Sequence, residues 1–490
     1  MYPWTLPRLN VETDFDILAS RAVEPFFYRA PWPENPAGYE PKLYQHAAVE
    51  YSIARNNSLI GDAPGVGKTP ECVLISNAIG AKFTLVICPA SLRFNWEREI
   101  WRWSTIPNVK TYVVEKSRDG ISHDHHYVIV SYALLTNPSI LNAIMDVTWD
   151  HVVYDEGQAF KDPKGNTRTK IICAPDLIPS VVGRTTVASG TIMPNQPIEC
   201  YNVIRLLNWE AINKASLEDF RDTYYSEGGG FINVYDAGAK KWVSKWSNKV
   251  RNVPVNLDDL QYRLRKNIMV RRVKEQVLHE LPPKQWHLFP LSTTPKMREA
   301  MKHPGWKLVE KMHLMDPGAF NAAMPIDGAI ATARRLLGEA KAPAVADYIE
   351  ELIDEGVEKI VVGAWNHTVL NILRERLSKH GLVYMDGATS GIRKQAAVDS
   401  FQTDPDIKII LGQTMVIGEG WTLTVAQDGV VAEWDWVPGR NEQFLDRMHR
   451  FGQRGNVLGH VPVVPDTLDE RMVATSIQKD IHIHAALDKA

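Results

Sequence analysis

The run Asp62-Ala63-Pro64-Gly65-Val66-Gly67-Lys68-Thr69 has the residue types needed to hold phosphate. Gly65 and Gly67 let backbone N–H groups approach phosphate oxygens with no Cβ in the way. Lys68 is spaced to reach β- and γ-phosphates, and the Thr69 hydroxyl to ligate Mg²⁺. The run departs from the strict GxxxxGK[ST] pattern at Asp62. Asp155-Glu156 supplies two carboxylates, Asp155 for the metal and Glu156 to orient and deprotonate an attacking water. Alone, the acidic pair could equally be a turn. Arg447 and Arg450 stand three apart and share a face if residues 443–453 are helical. Guanidinium groups so placed stabilise the charge of phosphoryl transfer, though arginines at this spacing are also common on surface helices.

These residues need particular elements to carry them. Ser58-Leu59-Ile60 precedes the glycine loop, and Glu71-Cys72-Val73-Leu74-Ile75 follows with helical spacing, which gives strand, turn and helix. The apolar run 151–154 ends at Asp155, and run 185–188 ends at Ser189-Gly190-Thr191, whose hydroxyls can link the nucleotide site to the rest of its lobe. Runs at 83–88 and 127–131 complete a first set of strands. A second set lies at 359–363, 382–385, 408–412 and 429–433, led by a helical pattern at 344–352. Apolar strands alternating with helices predict an α/β fold of parallel sheets covered on both faces, in two lobes. Between the sets, 231–235, a glycine-containing turn and 240–246 read as a β-hairpin, and 256–277 as helix. Residues 1–38, rich in proline and aromatics, read as an extension packed on the first lobe.

Length calls for two to four domains. No apolar run reaches the ~18 residues of a membrane span, and the first residues lack a signal peptide's pattern. The four cysteines never form CxxC, which argues against zinc and disulfide frameworks and for a reducing cytoplasm. The polar His123-Asp124-His125-His126 cluster reads as a solvated loop. The net charge of −3 excludes a basic coat but permits a local groove. Residues 237–274 carry Lys240, Lys241, Lys245, Lys249, Arg251, Arg263, Arg265, Lys266, Arg271, Arg272 and Lys274 against Asp258 and Asp259. That stretch is either a solvated helix face with a loop or a phosphate-contacting surface.

Together the segments resemble the superfamily 2 helicases, and specifically the Swi/Snf-type double-stranded DNA translocases. That family's phosphate loop resembles DEMGLGKT, which accounts for Asp62. Residues 85–92, ending in Asn95-Trp96, are similar to motif Ia. Asp155-Glu156-Gly157-Gln158 followed by Phe160-Lys161-Asp162-Pro163 resembles DEAH and xKNP, with Gln158 in place of His. Ser189 to Asn195 resembles TGTPxxN, and Met269 to Val277 with Leu281-Pro282-Pro283-Lys284 resembles the MLRRxKxxV…LPPK block. Gly418 to Thr424 is similar to motif V, and Gln443 to Gln453 fits QxxDRxHRxGQ.

The resemblance implies two tandem RecA-like lobes. The first covers 39–275, with an insertion at about 210–275. A helical linker at 276–340, a second lobe at 341–477 and a tail at 478–490 follow. It implies ATP and Mg²⁺ as cofactors. Tyr44-Gln45 would read adenine. Asp62, Gly65, Val66, Gly67, Lys68, Thr69, Gly420 and Gln443 would line the nucleotide, Thr69 and Asp155 would hold the metal, and Arg450 ahead of Arg447 would be the arginine finger. DNA contacts fall on Ser91, Trp96, Arg271, Arg272, Thr389 and Thr414. A finer resemblance, at 335–351 and in the insert 224–257, is to annealing helicases and fork remodellers. It places Lys240, Lys241, Trp242, Lys245 and Trp246, with Tyr235, against a DNA junction, where aromatics stack on unpaired bases; the hairpin could instead pack on the first lobe. The expectation is a cytoplasmic ATP-dependent motor of bacterial or phage type. It would act as a monomer on double-stranded and branched DNA, in branch migration, fork reversal or annealing. The alternatives are a translocase that strips proteins from duplex without separating strands, a DNA-binding scaffold with a degenerate motor, and an RNA helicase.

Overall fold

Leu85-Val86-Ile87-Cys88 and Val152-Val153-Tyr154 are buried along their whole length, as central strands of a doubly covered parallel sheet must be. The structure, a computed structural model, describes residues 14–33, 40–122, 124–236, 241–306, 328–450 and 452–488. The chain divides into two units. One comprises Met1–Phe220, Asn256–His279 and Ile483–Ala490; the other comprises Arg221–Val255 and Glu280–His482.

The first unit contains β1 (Ser58–Ile60), β2 (Thr84–Cys88), β3 (Thr111–Val113), β4 (Tyr127–Ser131), β5 (Trp149–Asp155) and β6 (Val182–Ala188). The hairpin strands β7 (Tyr225–Asp236) and β8 (Lys241–Pro254) fall in the second unit, and β9 (Met269–Val270) returns to the first. The seven-stranded sheet has the order β3-β4-β2-β5-β6-β1-β9, all parallel. The carboxyl ends of β1, β2, β5 and β6 therefore lie side by side, where open parallel sheets bind ligands. The described part of the extension, residues 14–33, contacts this unit. Its helix Phe15–Arg21 follows Asp14, which accepts from Tyr262 Oη at 3.1 Å and Lys266 Nζ at 2.9 Å.

The second unit holds β10 (Lys284–Pro290), β11 (Ile360–Ala364), β12 (Leu382–Met385), β13 (Ile409–Gln413), β14 (Asp428–Val431) and β15 (Val457–Val463). Their order is β10-β15-β14-β11-β13-β12, again all parallel. The α/β class with two parallel-sheet lobes is as expected. Among the described residues no helix is long and apolar enough to cross a membrane.

Four local expectations fail. The stretch 256–277 is not one helix: Leu257–Asn267 is helical, but β9 interrupts it to pair with β1, where Leu59 N donates to Ile268 O at 2.7 Å and Gly61 N to Val270 O at 2.8 Å. The helical linker at 276–340 contains β10, which pairs with β15 from Lys284↔Val457 to Pro290↔Val463. In place of a separate tail beginning at 478, residues 478–487 continue the helix Leu468–Leu487. The insertion does not belong wholly to the first lobe, since residues 221–255 group with the second unit.

Candidate active site

The phosphate loop is shaped by two left-handed glycines, Gly65 at φ +85° and Gly67 at φ +104°. At Gly67 the positive φ is one that L side chains rarely adopt, so a substitution there is strained, and an added Cβ would also meet Gln45 Nε2 at 2.7 Å. The helix Lys68–Ala78 starts directly after it with no side-chain cap, which leaves the positive end of its dipole at the loop. Lys68 Nζ donates to the Asp62 and Ala63 carbonyls at 3.0 and 3.3 Å. Gln45, on the helix Leu43–Ile53, is bound to the same loop. Its Nε2 donates to Gly67 O at 3.2 Å, its Oε1 accepts from Lys42 N at 2.8 Å, and the neighbouring Tyr44 hydroxyl donates to Val66 O at 2.7 Å. The expected base reader and the phosphate cradle thus touch.

Asp155 ends β5 and is nearly buried. Its Oδ2 accepts from Trp96 Nε1 at 2.7 Å and its Oδ1 from Glu156 N at 3.0 Å, while Tyr132 Oη donates to its carbonyl at 2.7 Å. Burial, with the adjacent Glu156 charge, pushes the Asp155 carboxyl up to about 7. Glu156 adopts φ +53°, an uncommon left-handed turn for a non-glycine residue. Its Oε2 accepts from Gln158 Nε2 at 2.8 Å, and Gln158 Oε1 accepts from Ser189 Oγ at 2.6 Å. Ser189 N in turn donates to Ile60 O at 3.0 Å. The residue standing where the family has histidine therefore bridges the acidic pair to Ser189-Gly190-Thr191. The carboxylate of Asp155 and the half-buried Thr69 hydroxyl are hard oxygen donors of the kind Mg²⁺ takes.

Asp62, Arg271 and Arg272 do not lie where they were expected. Asp62 and Arg272 are fully buried and paired with one another, Arg272 Nη2 to Asp62 Oδ2, with Glu71 Oε1 3.0 Å from the same nitrogen. Asp62 therefore supports the loop from behind and offers no carboxylate to a nucleotide. Burial is the first cause raising the Glu71 carboxyl well above the usual range, and the Asp62 charge adds to it. Arg271 donates to Gly61 O at 2.6 Å and Gly190 O at 3.1 Å, and pairs with Asp488 at 2.5 and 2.9 Å. Neither arginine has a free face for DNA phosphate.

In the second unit the helix Pro438–Leu445 carries Gln443 and stops before either arginine. Arg447 N bonds Phe444 O at 3.2 Å, a tightened turn, and Arg450 N bonds Met448 O at 3.1 Å. The two arginines thus do not share a helical face. Arg447 is buried, with Nε on Gln443 O at 3.0 Å. Arg450 is half-buried beside Gly420, its Nη1 at 3.3 Å from Thr422 Oγ1 and 3.4 Å from Gly420 O. Lys284 fixes the approach to this turn, donating to Glu442 Oε2 at 2.5 Å and Asp446 Oδ1 at 2.9 Å. Burial works against its charge, but the two carboxylates hold the ammonium well above the ordinary lysine range.

The SNF2-related domain matches residues 44–336, more than half of the chain, and the helicase conserved C-terminal domain matches residues 344–452. The chain belongs to the SNF2-related family. It is 27% identical over 446 residues to the Mus musculus DNA annealing helicase and endonuclease ZRANB3, a match covering 88% of this chain and 39% of that protein. It is 28% identical over 438 residues to the Bos taurus SWI/SNF-related matrix-associated actin-dependent regulator of chromatin subfamily A-like protein 1, covering 87% and 43%. The chain thus spans well under half the length of these relatives. The solved Sulfolobus solfataricus SWI2/SNF2 ATPase core in complex with dsDNA matches at 19% identity and a TM-score of 0.43, over 94% of this chain and 100% of that one.

The other DNA positions expected from the SNF2 resemblance divide: Trp96 and Thr389 are hydrogen-bonded internally, whereas Ser91 Oγ and Thr414 Oγ1 have no hydrogen-bond partner among the described residues. Trp96 is buried against Asp155, and Thr414 is buried at the end of β13. Thr389 donates to Asp386 Oδ1 at 2.8 Å, and Ser91 is half-buried after β2. On the hairpin, Tyr235 pairs with Trp242, Phe231 with Trp246, Ile232 with Lys245 and Asp236 with Lys241. Lys240 and His123 lie outside the described residues. Sequence reasoning missed Tyr132, whose hydroxyl braces the Asp155 carbonyl from 23 positions away, with no motif to mark it.

Proposed function

We propose that this SNF2 protein is a DNA-dependent ATPase that moves on double-stranded DNA and remodels branched DNA by branch migration, fork reversal or annealing. The observation that carries the reading is the convergence, at the carboxyl ends of β1 and β5 on either side of β6 in one parallel sheet, of a glycine cradle, Lys68, Thr69, Asp155 and Glu156. In the proposed reaction the loop amides and Lys68 bind the β- and γ-phosphates, and Gln45 meets the adenine. Mg²⁺ held by Thr69 and Asp155 would neutralise phosphate charge. Glu156, kept in place by Gln158, takes the proton of the attacking water. From the second unit, Arg450 would stabilise the charge that develops on the transferred phosphoryl group, with Gly420 and Gln443 lining the approach. Arg447, buried here, serves that turn's structure.

The protein would work as a monomer in the cytoplasm, on the phosphate backbone, hence with little sequence preference and strong salt sensitivity. Ser91, Thr389 and the hairpin with Lys240, Lys241, Trp242, Lys245 and Trp246 are the proposed DNA contacts. Fork remodelling rather than simple tracking is supported by the similarity to a DNA annealing helicase and by the hairpin, whose β8 carries the neighbouring pairs Lys241-Trp242 and Lys245-Trp246. The test is ATP hydrolysis with and without duplex DNA. Duplex is expected to stimulate hydrolysis, and Lys68→Ala to abolish it. A DNA-independent rate, or one that survives Lys68→Ala, would contradict the reading.

A further inference from the structure

Arg272 spends all its donors inside the protein. Its backbone N donates to Asp62 Oδ1 at 2.9 Å, and its Nε contacts both Asp62 oxygens at 3.0 and 3.1 Å. Nη2 reaches Asp62 Oδ2 and Glu71 Oε1. Nη1 donates to Tyr44 O at 2.7 Å and to Ala22 O at 3.3 Å. Its own carbonyl accepts from Ala63 N at 3.0 Å. One fully buried guanidinium therefore grips the residue that opens the phosphate loop, the helix that follows the loop, the carbonyl one residue before Gln45, and the N-terminal extension.

A buried charge cluster is costly to desolvate, and an apolar set of similar volume would often be at least as stable. Stability alone is thus a poor reason for this arrangement. A planar fork does what apolar packing cannot, since it fixes several acceptors in set directions. Here the acceptors belong to the two segments that would meet opposite ends of one nucleotide. Gln45 Nε2 already bonds Gly67 O, so a shift of the Tyr44 backbone would move the base reader against the cradle.

We infer that Arg272 is a positioning residue for nucleotide selection: through the Tyr44 carbonyl and the Asp62 carboxylate it sets the spacing between the adenine reader Gln45 and the phosphate loop, and so makes base identity and phosphate binding interdependent. The inference rests on the ATPase reading above. Arg272 touches neither substrate nor metal and acts through Gln45 and the loop.

The test compares wild type, Arg272→Lys and Asp62→Asn in duplex-stimulated hydrolysis of ATP and of GTP, with the melting temperature of each. Lysine keeps the charge but loses the fork. Both variants are expected to lose about tenfold or more in the kcat/KM preference for ATP over GTP, with KM for ATP raised more than kcat is lowered. A purely structural clamp would lower the melting temperature and leave that preference unchanged. Folded variants with the wild-type ATP:GTP ratio would overturn the inference, and so would loss of folding in both, which would make the cluster a stability element. Wild-type protein without DNA-stimulated ATPase would instead defeat the underlying function.

Discussion

Asp155 shows what a single buried carboxylate costs and what it offers. Its raised titration point, caused by burial first and by Glu156 second, means that without metal the native protein holds a proton there that the unfolded chain has released. The native state thus binds more protons than the unfolded one between the ordinary aspartate value and about 7. Stability contributed at this site is lost as pH rises through that window. Asp155→Asn is expected to raise the metal-free melting temperature at pH 8 by about 2 °C or more while leaving it near wild type at pH 4. Mg²⁺-dependent ATP binding should show the mirror effect, weakening by up to about tenfold per pH unit below about 7 in wild type and being lost at every pH in the variant. Calorimetry and nucleotide titration across pH would check both. No stabilisation at pH 8 would show that the carboxylate is not strained by its surroundings.

At the scale of elements, the hairpin separates the proposed fork remodeller from a simple tracker. Its strands are longer than the alternation of residues suggested, Tyr225–Asp236 and Lys241–Pro254 in place of 231–235 and 240–246. Glycine-rich 228–230 masked the first strand in the sequence, because glycine carries no strand signal. Deletion of residues 231–246 should leave duplex-stimulated ATPase within about twofold of wild type and reduce fork conversion by tenfold or more, if base stacking at the junction is worth about 1–3 kcal/mol per base. Equal loss on blunt duplex would show that the hairpin serves the motor itself. What was legible elsewhere follows how local the cause is. The loop from Ile60 to Lys68 could be read because strand, turn and helix are adjacent in sequence. The break in the helix after Asn267 could not, because β9 is made by pairing with Leu59 and Ile60, some 210 positions earlier. β10 was hidden by prolines on both sides and by polar residues, and exists because β15 pairs with it. The end of the arginine helix at Leu445 coincides with Asp446 being held by Lys284, another distant partner. Arg271 and Arg272 looked like surface cations because their acceptors, Gly61 and Asp62, are equally remote.

For the whole molecule, the central claim is that hydrolysis in the first unit drives a change in DNA. The proposed motor divides its work between two parallel-sheet units, one with the phosphate loop and acidic pair and one with Arg450 beside Gly420. In the proposed mechanism the residue that separates nucleotide binding from its use is Glu156, whose carboxylate accepts from Gln158 Nε2 at 2.8 Å. The most direct measurement is conversion of a labelled replication-fork substrate, with and without ATP, by wild type and by Glu156→Gln, alongside nucleotide binding by both. Wild type is predicted to convert the fork only with ATP, and Glu156→Gln to bind ATP and fork normally yet leave the fork unchanged. Fork conversion by Glu156→Gln at the wild-type rate, or by wild type without ATP, would contradict the account.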